Sequence, residues 1–150
     1  MVKGQYHEEF MALYHVWEQL SRVARAELRR VVKPEELLEI PAFYRLCTGK
    51  AHSEWEKRAY QRLIFCLPYI KHSNDDVGLG KALTKGNGVS EKRLFQVLRS
   101  DEPNDMIQLR RILQKADPEA SWPIVAKTLW YWNDRSKRDM LEDYFINQPL

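Results

Sequence analysis

Apolar residues recur at spacings of three and four along almost the whole chain, which is the period of an amphipathic α-helix. The first stripe of this kind joins Phe10, Leu13, Tyr14, Trp17 and Leu20. No segment alternates apolar and polar residues between turn signals, as a strand would. The pattern therefore predicts an all-α fold over residues 1–150, a compact single-domain bundle of about seven to nine helices.

Capping residues predict where several of the helices begin. Ser21, Ser53 and Ser90 each precede a stretch with helical apolar spacing, and a serine side chain can accept a hydrogen bond from the first turn of a helix. Glu56 follows Ser53 by three residues, which is the capping-box pattern. These positions predict helices that end near Val32, Leu67 and Arg99.

Turn-forming residues predict the other boundaries. The segment from Lys71 to Gly88 contains four glycines and predicts a long, mobile loop with at most a short helix inside it. Asp117-Pro118 and the Ser121-Trp122-Pro123 string both predict helix starts, because proline is favoured in the first helical turn. Ser136 predicts the start of a last helix that ends near Ile146.

The charged residues are distributed unevenly along the chain. The chain has 24 basic and 21 acidic residues, and a net charge of +3 is too small to identify a polyanion as partner. Nine bases nevertheless lie between Lys57 and Arg99, against only three acids.

No apolar run has the length of a membrane span and no secretory signal is evident, so we expect a cytoplasmic protein.

The residue types that carry chemistry are present without the spacings that chemistry requires. Cys47 and Cys66 lie in apolar strings, which predicts buried thiols in a reducing compartment and no disulfide. The four histidines are scattered without metal-ligand spacing. The GLGKAL string from Gly78 to Leu83 lacks the G-x-x-x-x-G-K-[ST] pattern of a phosphate loop. We therefore expect neither an enzyme, nor a metal, nor a cofactor.

Basic side chains concentrate on the polar faces of several predicted helices. A rotation of about 100° per residue places Arg93 and Arg99 opposite the apolar face of their helix, and Arg111 opposite the apolar face of the next. Arg110 flanks the boundary of that second apolar face. The same rotation groups Arg22, Arg25 and Arg29 on one ridge. It also places Lys127 beside Trp130 on an otherwise exposed arc, where Trp130 is either a core residue or part of a contact surface. Such faces are commonly only solvated, but arginine also binds phosphate well because its planar fork donates two hydrogen bonds at once.

Nine strings in one order carry a resemblance to a known family. They are MALYHVWEQL, ELRRV, IPAFYRL, FCL, GLGKAL, EKRLFQVLRSD, DMIQLRRIL, WPIVAKTLWYW and MLEDYF, which together extend from Met11 to Phe145. The combination closely resembles the small subunit of the type I-E CRISPR surveillance complex Cascade, the CasB family.

This resemblance implies a helical, non-catalytic subunit that functions in antiviral defence as a head-to-tail pair beside the other Cascade subunits and the guide RNA. Its basic faces would contact the DNA backbone of the target or displaced strand and stabilise the R-loop, while base pairing to the guide supplies sequence specificity. The matching strings contain seven basic residues that are carried over as nucleic-acid-binding candidates: Arg30, Lys81, Arg93, Arg99, Arg110, Arg111 and Lys127. Arg135, which follows the WPIVAKTLWYW string, is an eighth candidate. Among these, Arg30, Arg93, Arg99 and Arg111 are the principal candidates.

Two other functions remain open from the sequence. The arginines could instead pair with acidic surfaces of partner proteins in a purely structural subunit. The helix from Ser90 to Arg99 could also read DNA bases as part of a helix-turn-helix regulator, which would require site-specific binding and a dimer.

Overall fold

The computed structural model describes residues 3–47, 52–85 and 89–148. In chain order its elements are α1 (Lys3–Gln19), α2 (Arg22–Arg30), a 3₁₀ helix (Pro34–Glu39), α3 (Pro41–Leu46), α4 (Glu54–Cys66), a 3₁₀ helix (Leu67–Tyr69), β1 (Lys71–His72), α5 (Leu79–Thr84), α6 (Glu91–Arg99), α7 (Asn104–Ala116), β2 (Glu119–Ala120), α8 (Trp122–Trp130) and α9 (Asp134–Ile146). The predicted all-α fold is confirmed.

Serine caps form where the sequence predicts them. The Ser21 side chain accepts a hydrogen bond from the Ala24 amide at the start of α2, and the Ser90 side chain accepts one from Arg93 at the start of α6. At the start of α4, Ser53 and Glu56 form the reciprocal capping box. Local side-chain chemistry is sufficient to set these three boundaries.

The packing of helices on one another builds a connected hydrophobic core. The most extensive contacts join α5 to α9, α6 to α7, and α8 to both α1 and α4. Trp122 is completely buried, and its indole nitrogen donates to the Phe10 carbonyl at 2.9 Å, which ties α8 to α1. The cysteines are confirmed as buried thiols, and burial raises the pKa of Cys66 to about 12.

The region between Lys71 and Gly88 differs from the predicted loop. Its first two residues form β1, which pairs in parallel with β2 through Lys71–Glu119 and His72–Ala120. The helix α5 follows, and residues 86–88 lie outside the described residues. The sequence missed the pair of strands because each has only two residues, which is too short to show any alternation.

Two predicted helix boundaries are also wrong. Asp117-Pro118 does not begin a helix: Asp117 ends α7 with a left-handed backbone (φ 48°), and Pro118 leads into β2. The last helix begins at Asp134 with Asn133 as its cap, and the Asn133 side chain accepts from the Ser136 amide that sequence had suggested as the start. Both asparagine and serine favour helix caps, so composition alone does not choose between them.

Candidate nucleic-acid interface

Three of the predicted arginines meet in one groove between α6 and α7. Arg93 and Arg99 come from α6 and Arg111 comes from α7, and together they line a space of about 490 Å³. All three side chains are exposed. Among the described residues, none of the three guanidinium groups forms an ion pair, so their charge is available to a ligand.

Neutral polar side chains complete this arginine groove. Gln96, Ser100 and Gln108 line it together with the apolar Ile112. The Ser100 hydroxyl donates to the Gln96 carbonyl at 2.6 Å and accepts from the Gln108 amide nitrogen at 3.1 Å, so it links the end of α6 to α7. Gln96 shares the polar face of α6 with Arg93 and Arg99, in agreement with the helical period. No sequence signal indicated Ser100 or Gln108, whose roles depend on how the two helices meet.

A buried ion pair ties Ser100, at the end of α6, to α7 and α9. The Lys137 ammonium on α9 lies 2.8 Å from the Asp105 carboxylate on α7 and donates to the Ser100 carbonyl, also at 2.8 Å. The indole nitrogen of Trp132 donates to the same carboxylate at 2.9 Å. Because both charges are buried and have hydrogen-bond partners, this network fixes the relative positions of α6, α7 and α9.

Arg110 is not part of the exposed surface, although the sequence includes it among the binding candidates. It is only 5% exposed and donates to the carbonyls of Arg29 and Val31 and to the Tyr69 hydroxyl. Its guanidinium also lies over the Phe65 ring, 4.3 Å from the centroid. Arg110 points away from solvent because α7 packs against the 3₁₀ helix Leu67–Tyr69, which in turn contacts α2. At that position Arg110 donates to backbone carbonyls at the end of α2.

Other helix ends are capped by distant cations in the same way. Arg25 donates to the Glu18 and Leu20 carbonyls at the end of α1, at 2.8 and 3.0 Å. Arg62 donates to the Leu129 and Trp130 carbonyls at the end of α8, at 2.7 and 2.8 Å. Burial lowers the pKa of Arg62, and the nearby Glu102 carboxylate opposes that effect. Cations at helix C-termini also interact favourably with the helix dipole, so part of the basic content of the chain serves the fold.

The remaining candidates lie apart from the arginine groove. Arg30 is exposed at the end of α2, Arg135 is exposed in the first turn of α9, and Lys81 is half-buried on α5. Lys127 is exposed on α8 and lines a separate groove of about 270 Å³, whose α9 side carries Asp139 and Asp143. The structure therefore groups only Arg93, Arg99 and Arg111 with one another.

An exposed tryptophan lies on α4 and not on α8. Trp130 is buried, while Trp55 on α4 is 52% exposed and packs edge-on against it, with ring centroids 5.5 Å apart. The sequence left Trp130 open between the core and a contact surface. The structure places it in the core, because α8 is covered by α1 on one side and α4 on another. An apolar stripe indicates one buried face of a helix, so it does not show which residues are exposed when the helix is covered on two faces. Ile124, an apolar residue of the same helix, is exposed.

The GLGKAL string has a structural explanation in the contact between α5 and α9. A Cβ atom on Gly80 would lie 2.7 Å from the Tyr144 amide nitrogen, so only glycine allows α9 to approach this closely. The Asp143 carboxylate accepts from the Lys81 amide at 2.7 Å and thereby caps α5 from another helix. Neither glycine is arranged to hold a phosphate.

The described part of the chain also lacks two general features. No group of three or more potential ligand side chains is placed to hold a metal ion there. No helix within those residues combines the length and the apolar character needed to cross a lipid bilayer.

The fold and the groove define a small helical protein with an arginine-lined surface. Residues 24–145 match the model of the family described as CRISPR-associated protein Cse2, so the chain belongs to the Cse2 family. It is 39% identical to the CRISPR system Cascade subunit CasB of Escherichia coli (strain K12), over 91% of this chain and 92% of that relative. The resemblance to the CasB family is thereby confirmed.

Two solved structures share the fold. A chain in the crystal structure of E. coli Cascade bound to a PAM-containing double-stranded DNA target has a TM-score of 0.86 and 39% identity, covering 91% of this chain and 94% of that one. CasB from Thermus thermophilus has a TM-score of 0.71 at 16% identity, covering 93% and 97%. The second likeness shows that the fold is kept when most side chains differ.

Proposed function

We propose that this protein is a non-catalytic subunit of a Cascade-type RNA-guided complex in CRISPR antiviral defence, and that it binds DNA backbone and stabilises the R-loop. The observation that carries the proposal is the meeting of Arg93, Arg99 and Arg111 in one groove without carboxylate partners among the described residues. Guanidinium groups bind phosphate oxygens without reading sequence. The E. coli relative, which is seen in Cascade bound to double-stranded DNA, supports the assignment.

In this role the protein adds backbone contacts to an exchange of strands that is nearly balanced. A guide–target heteroduplex is about as stable as the DNA duplex that it replaces, so a few phosphate contacts are enough to favour the open state. The partners would be the other Cascade subunits, the guide RNA, a second copy of this chain, and the target or displaced DNA. All of these would be met in the cytoplasm.

The test compares R-loop lifetime and DNA affinity in one double variant. Replacing Arg93 and Arg111 by alanine should weaken binding of the isolated protein to any DNA sequence and shorten the lifetime of the R-loop in the assembled complex. Because each lost phosphate contact removes about 0.7 to 0.9 from the slope of log affinity against log salt, the slope should decrease by about 1.5. Fluorescence anisotropy across a salt series measures it.

A matched control uses Arg45, which is exposed on α3. Arg45→Ala removes the same charge from a different face and should leave the slope near that of the wild type. Wild-type protein that does not bind DNA even at low salt, together with an unchanged R-loop lifetime in the double variant, would disprove the proposed function.

A second surface supports a role in assembly beside DNA binding. Trp55 and Tyr131 are 52% and 38% exposed, and their ring centroids are 6.1 Å apart. The charges near Trp55 have both signs, including Lys57 and Glu54, which pair at 3.3 Å. Aromatic anchors within a polar rim are typical of protein interfaces. We propose that this aromatic patch docks on another subunit of the complex.

A further inference from the structure

An exposed aromatic ring lies beside the arginine groove. Phe145 on α9 is 40% exposed, and its ring centroid is 6.1 Å from that of Phe95 on α6. The buried Tyr144 also contacts the Phe145 ring in an edge-to-face arrangement, with centroids 5.4 Å apart. The Phe145 ring is thus supported by two other rings while much of its surface remains open to solvent.

Arg99 connects this ring pair to the groove. Its guanidinium lines the groove and also lies over the Phe95 ring, 5.5 Å from the centroid. A phosphate bound at Arg99 would therefore be separated from the exposed Phe145 ring only by the Phe95 side chain. The groove and the ring pair form one continuous surface across α6 and α9.

The charges near Phe145 distinguish it from the aromatic patch at Trp55. Lys92 and Arg99 are exposed on α6, three residues before and four residues after Phe95, so both flank it on the helix surface. Two exposed acids oppose them: Glu91, four residues before Phe95 on α6, and Glu142, three residues before Phe145 on α9. With Arg93 and Arg111 in the adjoining groove, the balance of charge around the ring pair is positive, as a polyanion requires.

An aromatic ring beside phosphate-binding arginines discriminates between forms of DNA. A base in an unpaired strand has a free face that can stack on the ring, whereas a base within a duplex is already stacked on both sides. We propose that Phe145, supported by Phe95, is a base-stacking surface that makes the arginine groove select an unpaired DNA strand over duplex. This inference rests on the proposed function, because it assigns the strand type to the same groove.

The experiment uses the full-length protein and three fluorescent probes of equal length: an oligo-dT strand, an abasic strand with the same phosphates, and a duplex. Wild-type protein should bind oligo-dT more tightly than the other two at low salt. Phe145→Leu should bind oligo-dT about fivefold more weakly, since one stacked base is lost, and should bind the abasic strand and the duplex as the wild type does. Phe145→Trp should retain the preference for oligo-dT.

A spectroscopic readout separates stacking from a change in fold. A 2-aminopurine base in the strand should lose fluorescence on binding wild-type protein and should keep it on binding Phe145→Leu. Ile146→Ser is the control, because Ile146 is 71% exposed and apolar but faces about 100° away on the helix. This control should behave as the wild type in both measurements.

The outcomes distinguish the two proposals. Arg93→Ala with Arg111→Ala should weaken binding to all three probes, because it removes phosphate contacts that every probe shares. If Phe145→Leu binds oligo-dT as tightly as the wild type, the stacking inference is wrong even though the groove binds DNA. If the wild type binds none of the probes, the proposed function fails and the inference fails with it.

Discussion

Arg110 and Arg111 are adjacent in the chain and have opposite environments. Arg110 donates to the carbonyls at the end of α2, while Arg111 is exposed in the arginine groove. A rotation of about 100° along α7 accounts for the difference, since it moves a side chain from the edge of the core to the solvent face. The pair therefore allows the structural and the binding roles of arginine to be tested separately.

Replacing Arg110 by methionine should destabilise the fold by about 2 kcal/mol, because the buried Val31 carbonyl would lose this donor. The Arg29 carbonyl would keep only a long hydrogen bond from the Tyr69 hydroxyl. Arg111→Met should change the free energy of unfolding by less than about 0.5 kcal/mol, as is usual for an exposed position. Urea denaturation measures both values. In a DNA-binding assay the order should be reversed, with Arg111→Met binding more weakly than Arg110→Met. Equal stability of the two variants would contradict the capping role of Arg110.

Cys66 provides a test of burial through its pKa. Burial raises this pKa from its ordinary value near 9 to about 12. Between those values the unfolded chain loses the thiol proton while the folded chain keeps it, so this group lowers stability as the pH rises above about 9. The loss should reach about 1 kcal/mol at pH 10.

Two measurements check this expectation. Iodoacetamide should label Cys66 slowly in native protein at pH 8 and rapidly in urea, because the thiolate is the reactive form. The urea midpoint of the wild type should also fall more steeply between pH 8 and pH 10 than that of Cys66→Ala. Rapid labelling of the native protein would show that Cys66 is accessible.

At the scale of elements, the helix starts with a local serine cap were predictable and close helix contacts were not. Ser21, Ser53 and Ser90 cap their own helices through residues three positions away. The start of α5 is different, because its carboxylate cap, Asp143, comes from α9. No window of sequence around Gly78 contains that information.

Gly80 tests the contact between α5 and α9. Gly80→Ala should destabilise the protein by about 2 kcal/mol or more, since the added methyl group would overlap the backbone of α9. Gly78→Ala is the matched control: its Cβ would approach Asp143 Oδ2 at 3.3 Å, and its backbone (φ −80°) is one that alanine adopts readily. Thermal denaturation should show a clearly larger loss for Gly80→Ala, and equal losses would argue against close packing as the reason for this glycine.

At the scale of the whole molecule, basic and aromatic residues divide between the interior and two surfaces. Arg25, Arg62 and Arg110 cap helices, and Lys137 ties α9 to α7 and to the end of α6. The exposed arginines of α6 and α7 face DNA in our proposal, and the aromatic patch at Trp55 faces another protein. The near balance of 24 basic and 21 acidic residues conceals this division.

The two proposed surfaces should be separable in the assembled complex. Trp55→Ser should reduce incorporation of the protein when subunits are co-expressed and purified, because it removes an aromatic anchor from the aromatic patch. It should leave the affinity of the isolated protein for oligo-dT unchanged. Wild-type incorporation of this variant would exclude Trp55 as an assembly contact, and weaker DNA binding would instead place Trp55 on the nucleic-acid surface.

The sequence by itself determined the helical class, the serine-capped boundaries, the burial of both cysteines and the exposed arginines of α6 and α7. These features depend on interactions within a few residues or on the helical period, so a single chain segment carries them. The family resemblance was also readable from ordered strings along the chain.

Only the tertiary structure decided which cations bind backbone carbonyls, which tryptophan is exposed, and that Arg93, Arg99 and Arg111 share a groove. The Arg110 contacts join residues about 80 positions apart, and Trp130 is buried because two helices cover α8. Such contacts depend on the packing of helices that are distant in sequence, and the apolar period of one helix does not specify which neighbour covers it.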